Sequence, residues 1–138
     1  MLRVVIADDS SLVRERLAAM LGELDDVELV GQAVDAGEAL RIIQERTPDV
    51  AILDIRMPGG NGIQALEAVK QRAPAVRVIM LTAFPYPQYR QKCLQAGADY
   101  FFDKSTEFED VARAVLALSR QAGRGPSMGR DQKAQSVS

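Results

Sequence analysis

Residues 49–54 read Asp-Val-Ala-Ile-Leu-Asp, DVAILD. The four central residues are apolar without a polar break. A strand with one wet face would alternate, and a helix needs a longer segment. A short unbroken apolar run instead suits a strand covered on both faces of a parallel sheet. Working outward, the same signature recurs as VVIA over Val4–Ala7 and as VRVIML over Val76–Leu81. The run Val27–Ala33, VELVGQA, is more mixed and fits a strand nearer an edge. Tyr100–Phe102 supplies a fifth.

The segments between these runs carry helical periodicity. Over Leu12–Leu24, the residues Leu12, Val13, Leu17, Met20, Leu21 and Leu24 recur at spacings of three and four, which predicts an amphipathic helix. Asp35 followed by Glu38 forms a capping-box pattern before a helix over Ala39–Arg46, and Thr47-Pro48 stops it. Asn61 with Gln64 resembles another helix start, leading through Ala65, Leu66 and Val69 to a stop at Pro74. Pro87 suits the first turn of a fourth helix that ends at Gly97. Thr106 with Glu109 is expected to cap the last, whose inner face is Phe108, Val111, Ala112, Val115 and Leu118.

Five strand–helix units in strict alternation predict an α/β fold. Right-handed crossovers then give a doubly wound five-stranded parallel sheet with five helices, flavodoxin-like in its strand order 2-1-3-4-5. The expected domain covers residues 1–121. Residues 122–138, AGRGPSMGRDQKAQSVS, have glycines, serines and a proline without apolar period, and read as a flexible, slightly basic tail.

Composition narrows the function. The chain of 138 residues suits one domain, and its 47% hydrophobic and 26% charged residues are ordinary for a globular protein. The lone Cys93 excludes an intramolecular disulfide and suits a reducing compartment, so the cytoplasm is expected. No apolar run approaches the ~20 residues that cross a bilayer, and the start, MLRVVIADD, meets two aspartates too early for a signal peptide. A net charge of −2 is a poor match for direct nucleic-acid binding. With no histidine in the chain, histidine acid–base chemistry and histidine metal sites are excluded.

In a doubly wound sheet the ligand site lies at the carboxyl ends of the strands, where the strand order reverses. The first strand ends in Asp8-Asp9, the third in Asp54, the fourth in Thr82, and the fifth runs into Lys104. Any one of these alone reads as a turn former, a helix cap or a solvated side chain. Together they put three carboxylates on one rim, where they repel unless a cation neutralises them. Carboxylate and carbonyl oxygens without histidine or cysteine select Mg²⁺, or Mn²⁺, over Zn²⁺. Magnesium readily accepts phosphate oxygens, so phosphoryl chemistry is the natural use.

Four stretches carry a resemblance to a known family: VVIADDS at the first strand end, DVAILDIRMPGGNG around Asp54, VIMLTA ending the fourth strand, and AGADYFFDKS around Lys104. From Leu2 to about Ala122 the sequence resembles a two-component response-regulator receiver domain. The resemblance implies a signalling switch rather than an enzyme acting on other substrates, one that catalyses only its own phosphorylation and dephosphorylation. Asp54 would be the phosphoacceptor. Asp9 would ligate Mg²⁺ directly and Asp8 mainly through water, with the backbone carbonyl of Arg56 as a further metal oxygen. Thr82 would bond a phosphoryl oxygen and move toward it. Lys104 would pair with Asp54 at rest and with the phosphoryl group afterward, and Phe101 would be the aromatic that turns inward when the threonine moves. The implied donor is a phosphohistidine on a sensor histidine kinase or histidine phosphotransferase. The implied output is a downstream protein target, or a self-dimer through the face of the fourth helix, fifth strand and fifth helix. The chain would act alone or as the amino-terminal part of a longer regulator.

Several positions depart from the family pattern. Ser105 follows Lys104 where many receivers have proline, and Gly60 replaces a more usual apolar residue, so Gly59-Gly60 is expected to be a loose loop. Arg56 and Phe84 each lie two residues past an active-site strand end and are expected to flank the approach of water to the phosphorus, modulating phosphoryl lifetime. The segment FPYPQY is expected to be a proline-stiffened loop with its aromatics folded inward. Three rival readings fit less well. An aspartyl-phosphate phosphohydrolase needs a second carboxylate two residues after the nucleophile, where Arg56 stands. A flavin or nucleotide module on this fold needs an anion-binding loop after strand one, where Asp8-Asp9 stand. A DNA-binding regulator needs a second domain, for which the body has no room.

Overall fold

The computed structural model describes residues 1–122. A parallel sheet carries β1 (Leu2–Ala7), β2 (Val27–Ala33), β3 (Val50–Leu53), β6 (Arg77–Thr82) and β7 (Tyr100–Asp103) in the order β2-β1-β3-β6-β7. Counting these strands alone, that is the expected order 2-1-3-4-5. A short antiparallel ribbon, β4 (Arg56–Met57) with β5 (Gly60–Asn61), projects after β3.

The period of two along each strand explains why the runs are continuously apolar. Val5, Ala7, Ala51, Leu53, Val78, Met80 and Phe101 face the layer of α2 (Ala36–Arg46), α3 (Gly62–Arg72) and α4 (Pro87–Gln95). Val4, Ile6, Val50, Ile52, Ile79 and Leu81 face α1 (Ser11–Gly22) and α5 (Asp110–Ala122). A polar residue on either face of the central strands would be buried without water.

The helix starts are built as the sequence suggests. Asp35 Oδ1 accepts from Glu38 N, and Glu38 Oε1 accepts in return from Val34 N. Asn61 Oδ1 accepts from Gln64 N. Thr47, with φ +44, ends α2 in a left-handed residue before Pro48. Three expectations need correction. The first helix ends at Gly22, and Leu12 is 64% exposed rather than inward, because Ser10 caps the helix through Val13 N and turns Leu12 to the outer side of the first turn. The last helix begins at Asp110, so Thr106 and Glu109 do not cap it. Glu107 instead closes a turn on β7, donating its N–H to Asp103 O and accepting at Oε1 from Asp103 N. Ala122 belongs to α5; the rest of the expected tail lies outside the described residues.

Two polar devices hold the sheet margins. The β1–β2 register skips Val30, and Arg46 donates to the carbonyl that this bulge frees. At the amino edge of β6, Asp99 accepts from Val78 N at 2.8 Å and Arg77 Nε at 2.9 Å, with Lys70 Nζ at 3.4 Å. Burial pushes the Asp99 carboxyl up, but the Val78 N–H and the two cations outweigh it and hold the group below its ordinary value. Its stabilisation is therefore complete above the unfolded pKa of ~3.9 and is lost as pH falls through the lower folded value. Asp99→Asn should cost about 1–3 kcal/mol at pH 7, and the gap between the two proteins in urea melts should close in acid. A gap independent of pH would contradict this.

Candidate functional site

The site lies at the carboxyl ends of β1, β3 and β6, where the strand order reverses. β1 and β3 are paired in register up to Ala7↔Leu53, so Asp8 and Asp54 emerge side by side. Asp54 N continues that ladder by donating to Ala7 O at 3.0 Å. One carboxylate oxygen from each of Asp8, Asp9 and Asp54 lies within 4.8 Å of the others. Asp8 and Asp54 are buried, whereas Asp9 is exposed.

Lys104 reaches into this cluster from the end of β7. Its Nζ lies 2.6 Å from Asp8 Oδ2 and 3.0 Å from Asp54 Oδ2. The expected pairing with Asp54 is present, together with a shorter one to Asp8 that the sequence reading did not foresee. Asp54 Oδ1 accepts from Ile55 N at 2.7 Å. Burial pushes the Asp54 carboxyl up from its ordinary value; Lys104 opposes this and Asp8 adds to it. Burial alone would push Lys104 down, but its bond to Asp8 and the charge of Asp54 reverse that and hold the ammonium form. Three carboxylates thus face one ammonium. An all-oxygen donor set with surplus negative charge, two of its members buried, fits a hard divalent cation.

Thr82 closes the rim. It is fully buried, and its Oγ1 accepts from Phe84 N at 3.0 Å. Lys104 N donates to Thr82 O, tying the ends of β6 and β7 together. Phe101 is 4% exposed and faces inward, beneath α4, where Arg90 donates to its carbonyl oxygen. Cys93 stands apart in the core; burial pushes its thiol up to about 11, which leaves it unreactive.

The loop after Asp54 folds into a short ribbon. Arg56 and Met57 pair with Asn61 and Gly60 across the turn at Pro58-Gly59, where Gly59 takes φ +77. Proline followed by a left-handed glycine is turn chemistry rather than slack. Gly62 was missed as a site residue. A Cβ there would fall 1.8 Å from Asp54 O, and its N–H donates to Ile55 O at 2.7 Å. The glycine within GGNG was the available signal, since close backbone approach is a standard use of glycine.

The aromatics of FPYPQY fold inward only in part: Tyr89, carried on α4, packs against the core. Phe84 is half-buried with the Arg56 guanidinium 4.0 Å above its ring centroid, and Tyr86 is 46% exposed. Phe84, Tyr86 and Tyr89 form a ladder of rings at 6.2 and 5.5 Å. Tyr86 stands just before α4 in extended backbone and stays outside, whereas Tyr89 lies in the first turn of the helix and reaches the core. Arg56 also lines an open cleft of about 340 Å³ with Asp9, Met57, Pro58, Gly60 and Asn61.

A doubly wound sheet with this acidic rim defines the architecture of a receiver. The model of the response regulator receiver domain matches residues 4–116, and the chain belongs to that family. It is 38% identical over 112 residues to the uncharacterized transcriptional regulatory protein YhcZ of Bacillus subtilis, covering 81% of this chain and 52% of that protein. Among solved structures it resembles the signal receiver domain of the putative response regulator NarL from Mycobacterium tuberculosis. The TM-score is 0.80 at 37% identity, covering 86% of this chain and 96% of that one. It also resembles the isolated receiver domain of RcsB from Salmonella enterica serovar Typhimurium, solved with the phosphomimetic BeF3⁻. There the TM-score is 0.81 at 26% identity, covering 86% of this chain and 88% of the other. The chain spans about half the length of the curated relatives it matches. Among the described residues, no helix is long and apolar enough to cross a membrane.

Proposed function

We propose that this chain is a phosphorylation switch in which Asp54 takes a phosphoryl group from a phosphohistidine on a sensor kinase or histidine phosphotransferase. The observation that carries the reading is the setting of Asp54. It is a buried carboxylate at the end of a central strand, with one oxygen on a backbone N–H and the other on Lys104, beside Asp8 and Asp9. An Asp54 oxygen attacks phosphorus, and the P–N bond to the donor imidazole breaks. The imidazole leaves with the electron pair and is restored by a proton. Lys104 cancels charge between the two anions as they approach. Asp8, Asp9, Asp54 and the Arg56 carbonyl would hold Mg²⁺ or Mn²⁺, which supplies further charge neutralisation on the phosphoryl oxygens.

Phosphorylation adds nearly two negative charges where Lys104 now bridges two carboxylates. Thr82 Oγ1 accepts from Phe84 N, and its hydroxyl can donate to a phosphoryl oxygen; moving toward that oxygen breaks the Phe84 bond and frees the start of the loop before α4. Phe101 lies beneath that helix, so the face of α4, β7 and α5 is where a downstream protein, or a second copy, reads the change. The cytoplasm, where such kinases deliver phosphoryl groups and a buried thiol stays reduced, is the compartment this implies. The transcriptional regulators among its relatives suggest an output in gene control, exerted by a partner or by a further domain rather than by direct nucleic-acid contact from this one.

Intact-mass measurement after incubation with acetyl phosphate tests the reading. One phosphoryl group should add in the presence of Mg²⁺ or Mn²⁺ and none after chelation. Labelling that ignores the metal would overturn the proposed site.

A further inference from the structure

In the acidic turn between β1 and α1, three of the four polar atoms of Asp8 are held by the strand neighbour, the next turn and Lys104. Asp8 N donates to Ala33 O at 3.0 Å and so extends the β1–β2 ladder by one bond. Asp8 Oδ1 accepts from Ser10 N at 2.9 Å, and Oδ2 is held by Lys104. The fourth atom, the backbone carbonyl, has turned out of the sheet and needs a donor of its own. That donor is Arg14, whose Nη1 lies 2.7 Å from Asp8 O. Arg14 sits one turn into α1, with its own N–H bonded to Ser10 O. Its guanidinium therefore reaches back over the first turn of the helix to grip the strand end.

The gripped carbonyl belongs to the Asp8–Asp9 peptide unit. The plane of that unit sets where the Asp9 Cα, and with it the Asp9 carboxylate, is carried. Among the described residues the Asp9 carboxylate has no hydrogen bond or ion pair of its own, unlike those of Asp8 and Asp54. Its place within 4.8 Å of the other two carboxylates is thus maintained through its backbone. We infer that Arg14 is a positioning residue for the cation site: it clamps the Asp8–Asp9 peptide so that the exposed Asp9 carboxylate stays converged with Asp8 and Asp54. This rests on the proposed metal-dependent function and adds a residue to it.

The idea has a sign that simple electrostatics opposes. A guanidinium near the rim repels an incoming cation, so deleting its charge should tighten binding if charge were its only effect. Deleting a clamp should loosen binding. Mg²⁺, which demands near-ideal octahedral geometry, should suffer more than the larger and more tolerant Ca²⁺.

Calorimetric titration of the unphosphorylated protein with MgCl₂ and with CaCl₂ decides the matter. Arg14→Met should weaken Mg²⁺ binding by about tenfold, in the range seen when an outer partner of a metal ligand is lost, and Ca²⁺ binding by clearly less. Arg14→Lys keeps the charge but loses the reach and fork of the guanidinium, and should fall between wild type and Arg14→Met. It carries the test alone if Arg14→Met does not fold. Mg²⁺ binding as tight as wild type, or tighter, in the folded variants would overturn the inference. Equal weakening for both ions would also overturn it, reducing Arg14 to general support of the turn. A wild-type protein that binds neither ion would instead overturn the proposed function itself.

Discussion

Asp54→Asn should take up no phosphoryl group from acetyl phosphate, in any concentration of Mg²⁺, while remaining folded. The amide keeps the carboxylate's shape, and its oxygen can still accept from Ile55 N as Asp54 Oδ1 does. What it lacks is a nucleophilic oxygen charge. The variant should not be the less stable protein, because burial pushes the Asp54 carboxyl up and so works against the native ionised form. Removing that buried charge offsets the lost bond to Lys104, which retains Asp8 as a partner at 2.6 Å. Intact-mass spectrometry gives the first outcome and thermal melting the second. Phosphorylation of the variant at the wild-type level would show that another side chain is the acceptor.

The second large effect concerns the lifetime of the phosphoryl group. Hydrolysis needs a water in line with the phosphorus, opposite the Asp54 oxygen. Arg56 and Phe84 stand at this rim as a stacked pair, guanidinium 4.0 Å over ring. A cation held against an aromatic face is worth roughly 0.5–2 kcal/mol, enough to keep the pair closed much of the time. Phe84 presents no donor or acceptor to orient a water, and Arg56, held over the ring, is drawn away from that task. Phe84→Gln removes the ring and supplies an amide that can hold a water. We expect phosphoryl loss to speed up by a factor of order ten, which corresponds to ~1.4 kcal/mol in the barrier. A chase after donor removal measures it. An unchanged or slower decay would assign the stack to some other task than excluding water.

Much of this molecule was legible before its coordinates. VAIL and VVIA announced strands covered on both faces because a buried sheet tolerates no alternation, and Asp35 and Asn61 announced helix starts because their side chains bond the exposed N–H groups. The convergence of Asp8, Asp9, Asp54, Thr82 and Lys104 followed from strand order alone. What sequence concealed was side-chain reach and loop compactness. Lys104 was expected on Asp54 only, yet its length lets it bridge Asp8 as well. The bond from Arg14 to Asp8 O spans a turn that periodicity does not see. The ribbon that proline and a left-handed glycine close after Asp54 was not visible in Gly59-Gly60, and the rings of FPYPQY divide, Tyr86 staying outside while Tyr89, on α4, packs against the core.

The contact between Gly62 and Asp54 has a mechanical consequence. With the carbonyl of Asp54 occupying the space where a side chain on residue 62 would begin, the first turn of α3 rests directly on the backbone of the residue that reacts. No compressible side chain lies between them to absorb strain. The acceptor and the head of α3 therefore behave as a bolted joint: a force on that end of the helix is a force on Asp54, and a displacement of Asp54 is felt at once along α3. Even one methyl group at residue 62 would act as a shim in that joint, moving the acceptor off its mark without altering any of the charged groups around it.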